Sequence, residues 1–359
     1  MDDSHFRMRV LDFVETLARH RPESELVVYT IVPLMRLSAS TSAGEKELAS
    51  KASRVLRGIV SGKKGTPAPL SPERALTALR RLCVFSRSLD MPELGPLLAN
   101  AGVYLAKAIL ASPEAGPGES HAVAQTVADA FDEYLTRKNT RAKAQPRMTL
   151  EFARRVTACA WLMFERVAER ATPSSTTTSG GGGGGGVVNA FRRMQAFEVL
   201  QALVVARAAM KTDESKSDIV SKVPVLREAI VANFLHALDD TTGGAMDATR
   251  LRELCKVALA AARASVPLAG SPAHAREMWA SAQLESVLAR LQHDSDRFKN
   301  AAGLHNLVKQ VIGATSPAAP AASGEKKHQK RKAEAANDGL ESKGSTMGKG
   351  ASKKSKKQK

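Results

Sequence analysis

Apolar residues recur at intervals of three and four along almost all of residues 1–313, and this spacing constrains the fold more than any other feature. This spacing places the apolar residues on one stripe of a helix. In the first predicted helix the stripe consists of Phe6, Val10, Phe13, Val14 and Leu17. Hydrophobic residues form 43% of the chain and aromatic residues only 4%. Most of the apolar residues are Ala and Leu, which favour helices, whereas a β-sandwich or barrel draws on β-branched and aromatic residues. The sequence therefore predicts an all-α protein.

Helix boundaries follow from capping patterns and from breaks in the spacing. Ser42 and Glu45 have the spacing of a capping box at a helix start. The segments Thr149–Ala171 and Pro272–Leu291 each have the pattern of one helix. In total we expect about twelve helices, with helix pairs recurring about every 45 residues, as in armadillo and HEAT repeats. The predicted fold is an armadillo/HEAT-like α-solenoid, and a compact helical bundle is the competing interpretation.

Six Ser and Thr residues followed by seven glycines, ending at Gly186, interrupt the helical pattern. Such a segment behaves as a flexible coil. It lacks the preceding strand and the Lys-Ser/Thr ending of a phosphate-binding loop. We therefore expect a helical-repeat region at 1–171, a flexible linker at 172–186, a continued helical-repeat region at 187–313 and a disordered Lys-rich tail at 314–359.

Residues that catalysis or metal binding would need are scattered. Cys83, Cys159 and Cys255 lie far apart within helical patterns, which predicts buried free thiols rather than disulfides or a zinc site. The eight histidines form no H-x-x-x-H pattern, and acidic pairs lie near helix ends, where they complement the helix dipole. We expect no catalytic residue, no metal and no cofactor. No stretch reaches the length of about 18 apolar residues that a membrane span needs.

Positive charge is concentrated at the C-terminal end of the sequence. The formal net charge is +17. Residues 326–359 contain 12 Lys and Arg against three acids, which is +9, and the other 325 residues carry the remaining +8. This segment has no aromatic residue and one Leu, so it has too little apolar surface to fold.

Two Lys/Arg blocks in the tail are typical of nuclear localisation signals or nucleic-acid-binding patches; they comprise Lys326, Lys327, Lys330, Arg331 and Lys332, then Lys353, Lys354, Lys356 and Lys357. A tail that only solubilises the protein is the competing interpretation. A third cluster is either a phosphate-contacting loop or a solvated loop, and it comprises Arg137, Lys138, Arg141, Lys143 and Arg147. No aromatic residue is interleaved with the clusters, so they predict phosphate contacts rather than base stacking.

The first 60 residues carry a more specific pattern, formed by Arg9-Val10-Leu11-Asp12, Pro22 with Leu26-Val27, Val32-Pro33-Leu34 and Leu48-Ala49-x-Lys51-Ala52. Together with the segment Leu307–Gln310 and the lysine-rich end, these features resemble the later part of the DNA polymerase phi/Myb-binding protein 1A family. From about residue 60 to about residue 290 only the helical architecture agrees. Family members are much longer, so the resemblance implies a C-terminal portion of such a protein.

The resemblance implies a nucleolar armadillo/HEAT-like protein that acts in ribosomal DNA transcription and ribosome biogenesis. We expect a non-enzymatic scaffold in the nucleus, within the nucleolus, that binds ribosomal DNA or pre-ribosomal RNA through phosphates. Its expected partners are transcription or ribosome-assembly proteins and a nuclear import receptor, with no membrane. One alternative is a DNA-directed DNA polymerase, as the family name claims, although no Asp-containing polymerase motif is present. The other is a protein-interaction adaptor whose basic tail is only a nuclear localisation signal.

Overall fold

The computed structural model describes residues 3–61, 71–113, 115–137, 144–173, 188–240 and 244–316. These residues form fourteen α-helices of eight residues or more, one four-residue α-helix and four short 3-10 helices, with no strand among them. The all-α prediction is therefore confirmed. Most of the predicted linker and of the predicted Lys-rich tail lies outside the described residues.

Fifteen α-helices follow one another along the described residues. The first seven are α1 (Asp3–His20), α2 (Glu25–Ser38), α3 (Lys46–Val60), α4 (Pro72–Ser86), α5 (Gly95–Leu110), α6 (Pro117–Thr136) and α7 (Gln145–Arg155). The others are α8 (Thr157–Ala160), α9 (Phe164–Ala171), α10 (Ala190–Ala209), α11 (Asp213–Asp239), α12 (Ala248–Ser265), α13 (Pro272–Trp279), α14 (Ser281–His293) and α15 (Ala302–Thr315). The last helix thus ends two residues beyond the predicted boundary of the helical region at 313.

Packing divides most of the helices into two layers. In one layer α1 packs on α3, α3 on α5, α5 on α7, α7 on α10, α10 on α12 and α12 on α15. In the other, α2 packs on α4, α4 on α6, α6 on α9, α9 on α11, and α11 on both α13 and α14. Most of these helices therefore contact a neighbour along the chain and also a neighbour in their own layer.

One cluster of buried apolar side chains extends from Leu11 in α1 to Val311 in α15. Small residues allow some of its helices to approach closely. At Gly102 of α5, an added Cβ would lie 3.2 Å from the Cγ and Sδ atoms of Met148 in α7, inside the optimal separation of about 3.5–4.0 Å. The three cysteines lie in this cluster as free buried thiols, as predicted.

Two segments that the spacing predicts as single helices are divided in the structure, which accounts for fourteen helices rather than twelve. The first is broken at Val156, whose φ of −129° and ψ of 42° are not helical. This break allows the chain to change layers, because α7 packs on α5 and α10 whereas α9 packs on α6 and α11. The second bends at Ala280, which has a left-handed φ of 41°. Neither position is a Gly or Pro, so the sequence does not mark the break.

The predicted capping box at Ser42 is wrong. Residues Ala43–Glu45 form a 3-10 helix, and the Ser42 side chain makes no capping hydrogen bond. The Glu45 carboxylate instead accepts hydrogen bonds from Ser40 Oγ at 2.5 Å and from Arg7 Nη1 at 2.9 Å. Glu45 thus hydrogen-bonds to side chains outside the turn. It does not make the side chain–backbone hydrogen bond to Ser42 that a capping box requires.

Candidate functional site

The structure describes two of the five residues of the predicted phosphate-contacting loop, Arg137 and Arg147. Lys138, Arg141 and Lys143 lie outside the described residues. Arg137 follows α6, and its guanidinium forms an ion pair with Glu133 one turn earlier. Arg147 lies exposed in the first turn of α7. The positive charge of Arg137 is thus partly neutralised, while Arg147 faces solvent without an ion pair to any described carboxylate.

The end of α6 beside this loop is held by a buried arginine from α10. Arg192 Nη1 donates to the carbonyl of Leu135 at 3.0 Å and also to that of Arg137. Its guanidinium lies 5.4 Å from the centre of the Tyr134 ring, within the range of a cation–π contact. A cation at the C-terminus of a helix satisfies orphan carbonyls and complements the helix dipole. Arg192 therefore positions the start of the basic loop rather than serving as a ligand-binding group.

All nine Lys and Arg residues of the two tail blocks, from Lys326 to Lys357, lie outside the described residues. Their assignment as nucleic-acid-binding or localisation residues stays a prediction.

A groove that the sequence analysis missed lies between α2 and α4, which are neighbours in one layer. Its volume is about 420 Å³. Steps of three and four residues place side chains of each helix on the same face, so three arginines and one tyrosine converge there. We call it the arginine groove; it is lined by Tyr29, Val32, Pro33, Arg36, Arg74, Thr77, Ala78 and Arg81.

Hydrogen bonds link the two sides of the arginine groove at one end. Arg74 Nη1 donates to Tyr29 Oη at 3.2 Å, and Tyr29 Oη donates to Glu25 Oε2 at 3.4 Å. The hydrogen bond to Tyr29 and the nearby charge of Glu25 raise the pKa of Arg74. Arg74 is therefore a fixed cation whose position is set by α2 as well as by its own helix.

The arginines of this groove are not neutralised by ion pairs. Arg36, Arg74 and Arg81 form none with the carboxylates that the structure describes. Arg87, just beyond α4, differs, since it pairs with Glu133 of α6 at 2.5 Å. The groove therefore presents Arg36 and Arg81 as positive charges without an ion pair, together with Arg74, whose charge is partly offset by the nearby Glu25.

Three arginines elsewhere in the described chain hold helices together. Arg166 and Arg170 of α9 both pair with Asp132 of α6, at 2.7 Å and 3.2 Å. Arg207, whose side chain is only 3% exposed, pairs with Asp218 at 2.5 Å. These ion pairs join neighbouring helices and leave little charge for an external partner.

The described chain offers little for covalent or metal chemistry. Burial raises the pKa of the three cysteine thiols to about 12, so they are protonated and shielded at neutral pH. No group of three or more His, Cys, Asp or Glu side chains suited to a metal ion occurs among the described residues. None of the helices that the structure describes is long and apolar enough to cross a membrane.

A comparison with protein-family models, curated proteins and solved structures finds no match for this chain. The chemistry of the described surfaces therefore has to support any proposal about function.

Proposed function

We propose that the helical region is an α-solenoid of the armadillo/HEAT type. The alternation of its helices between two layers supports this, because stacked helix pairs bury a continuous core in which each unit contacts its neighbours. In a compact bundle, by contrast, helices distant along the chain would also pack on one another. The contacts described above join helices that are close along the chain.

We propose that the protein is a non-enzymatic nuclear scaffold that binds nucleic acid through phosphate contacts. The observation that carries this proposal is the partition of charge: +9 of the net +17 lies in 34 residues that hold almost no apolar side chains. A dense run of Lys and Arg next to a helical body is suited to displacing the counterions of a phosphate backbone. The helical body pairs many of its own charges internally, as Asp132 and Arg207 show.

Ribosomal DNA or pre-ribosomal RNA is the nucleic acid that we propose, with the nucleolus as the location. The residues near the N-terminus that resemble the DNA polymerase phi/Myb-binding protein 1A family support this assignment, together with the lysine-rich end. Transcription and ribosome-assembly proteins would then be partners, and an import receptor would bind the basic blocks. A polymerase would need carboxylates that converge on divalent metal ions, and we propose no such activity.

The experiment is a comparison of the full chain with a variant that ends at residue 325. Each is fused to a fluorescent protein, located in cells and tested for retention of ribosomal DNA fragments. We expect nuclear accumulation and DNA retention to be lost together in the truncated variant. Undiminished DNA retention by the truncated chain would contradict the proposal. Loss of nuclear entry alone would favour the adaptor, in which the tail is only a localisation signal.

A further inference from the structure

We propose that the arginine groove binds an acidic segment of a partner protein that carries apolar side chains beside its carboxylates. The site is distinct from the tail to which we assign nucleic-acid binding. Its occupant follows from three properties of the groove: its charge, its exposed apolar borders and its width.

The charge of the groove calls for an elongated anionic ligand. Arg74 and Arg81 are seven residues apart on α4, which separates them by about 10 Å along the helix axis. Arg36 lies on the facing helix. Arg36 and Arg81 pair with no described carboxylate, so they are the main contacts for a ligand with several carboxylates in a row, while the charge of Arg74 is partly offset by Glu25. Arginine binds carboxylates through two parallel hydrogen bonds, which gives such a site directional preference.

Apolar side chains at the borders favour a protein over a nucleic acid. Leu26 lies three residues before the lining residue Tyr29 on α2, and Val84 lies three residues after the lining residue Arg81 on α4, so each is adjacent to the groove on its helix surface. Their exposed fractions are 57% and 55%. Pro33 is exposed between the arginines. A phosphate backbone offers these residues no apolar surface to cover, whereas a Leu or Phe of a peptide does. The type of basic residue also favours a protein ligand. The helices α2 and α4 contain Arg but no Lys, and protein interfaces are enriched in Arg and depleted in Lys.

The width of the groove favours a single chain. Packed helix axes lie about 8–10 Å apart, so α2 and α4 touch and the groove is a furrow on their surface. Such a furrow admits one extended segment or one row of side chains. From Leu26 to Arg36 the helix rises about 15 Å. An extended strand covers that distance with about five residues. The ligand is therefore a short acidic segment with an apolar residue near each end.

Two labelled probes test this proposal: a 12-residue peptide of Asp and Glu with two Leu five residues apart near its middle, which matches the span of the groove, and the same peptide with both Leu replaced by Ser. Binding to the full chain is followed by fluorescence anisotropy at about 150 mM salt, where surface charges are screened beyond about 8 Å. The key variant is R36Q/R81Q. Its matched control is R57Q/R80Q, because Arg57 and Arg80 are exposed and outside the groove. Both variants remove two positive charges and retain the tail.

We expect R36Q/R81Q to bind the Leu-containing peptide about tenfold more weakly than the native chain, since each of the two exposed arginine–carboxylate pairs that are lost contributes about threefold to the affinity. The control should stay within about twofold. A further variant, L26S/V84S, should abolish the preference for the Leu-containing peptide over the Ser-containing one. Circular dichroism checks that each variant is folded.

Equal affinities of R36Q/R81Q and R57Q/R80Q would overturn the proposal, as would a native chain that does not bind the peptide. A 12-base-pair duplex serves as the third probe. If R36Q/R81Q weakened duplex binding as much as peptide binding, the groove would be a phosphate site instead. Under our proposed function, truncation of the tail weakens duplex binding, whereas substitutions in the arginine groove do not. The proposal for the groove and the proposal for the tail can therefore be refuted independently.

Discussion

Replacing Asn233 of α11 by Ala tests how the helices on either side of residues 174–187 are joined. Asn233 is 1% exposed. Its Nδ2 donates to the carbonyl of Ala171 at 2.9 Å, and its Oδ1 accepts from Arg193 Nε at 3.0 Å. Arg193 Nη1 in turn donates to the carbonyl of Val188 at 2.8 Å. Two buried side chains thus bind both the end of α9 and the residues that lead into α10.

The substitution removes the Asn233 donor to the Ala171 carbonyl and the Asn233 acceptor of the Arg193 Nε–H, while Arg193 keeps its hydrogen bond to the Val188 carbonyl. Each unsatisfied buried group costs about 1–3 kcal/mol, and a charged group costs more. Burial already lowers the pKa of Arg193, which shows that its charged form is poorly solvated. We therefore expect Asn233→Ala to lower the free energy of unfolding by about 3 kcal/mol. Asn233→Asp retains an acceptor for Arg193 and should cost less.

The assay is urea unfolding followed by circular dichroism at 222 nm. The control is Gln125→Ala on the exposed face of α6, where only a surface hydrogen bond to Asp129 is lost and the change should stay within about 0.5 kcal/mol. Hydrogen exchange should also accelerate in α9 of the Asn233 variant. A loss below about 0.5 kcal/mol for Asn233→Ala would refute the reasoning that this network joins the two parts.

Three other outcomes are expected. The three buried thiols, with their pKa raised to about 12, should not react with a thiol reagent at pH 8 until the chain is unfolded; rapid labelling of the native chain would contradict this. Ala280→Gly should raise the free energy of unfolding by about 1 kcal/mol and therefore raise the melting temperature, because a Cβ is unfavourable in the left-handed conformation at φ 41°. An unchanged or lower melting temperature would contradict this expectation. Asp132→Ala should lower the free energy of unfolding by about 1–2 kcal/mol, since Arg166 and Arg170 are partly exposed and Arg166 keeps its ion pair with Asp129. Asp296→Ala, at an exposed pair with Lys299, should change it little.

The spacing of apolar residues is sufficient to predict the helical class and most helix positions, because burial of one stripe is a local property of the sequence. It does not reveal which side of a helix has a neighbour. Phe6, Val10 and Phe13 form the predicted stripe of α1, yet all three are exposed, while Leu11 is buried. The reason is that α1 packs only on α2 and α3 along one side.

The arginine groove could not be found from spacing alone. Arg36 and Arg74 are far apart in the sequence, and they share a site only because α2 and α4 are neighbours in one layer. The sequence does carry a partial signal: Arg74 and Arg81 lie on one face of a helix that has no Lys. For the basic cluster from Arg137 to Arg147, the sequence pattern suggests more free charge than the structure shows. This cluster looks basic in the sequence, but Arg137 pairs with Glu133, which lies just before the cluster.

The most direct test of the proposed function is the salt dependence of duplex DNA binding, measured for the full chain and for a chain that ends at residue 325. The tail holds 12 Lys and Arg. If it neutralises about six phosphates, the slope of log K against log salt concentration should differ between the two chains by about five. Unfolding free energies should agree within about 0.5 kcal/mol, because the deleted residues carry almost no apolar surface. Equal salt slopes would contradict the central claim that the tail binds phosphates.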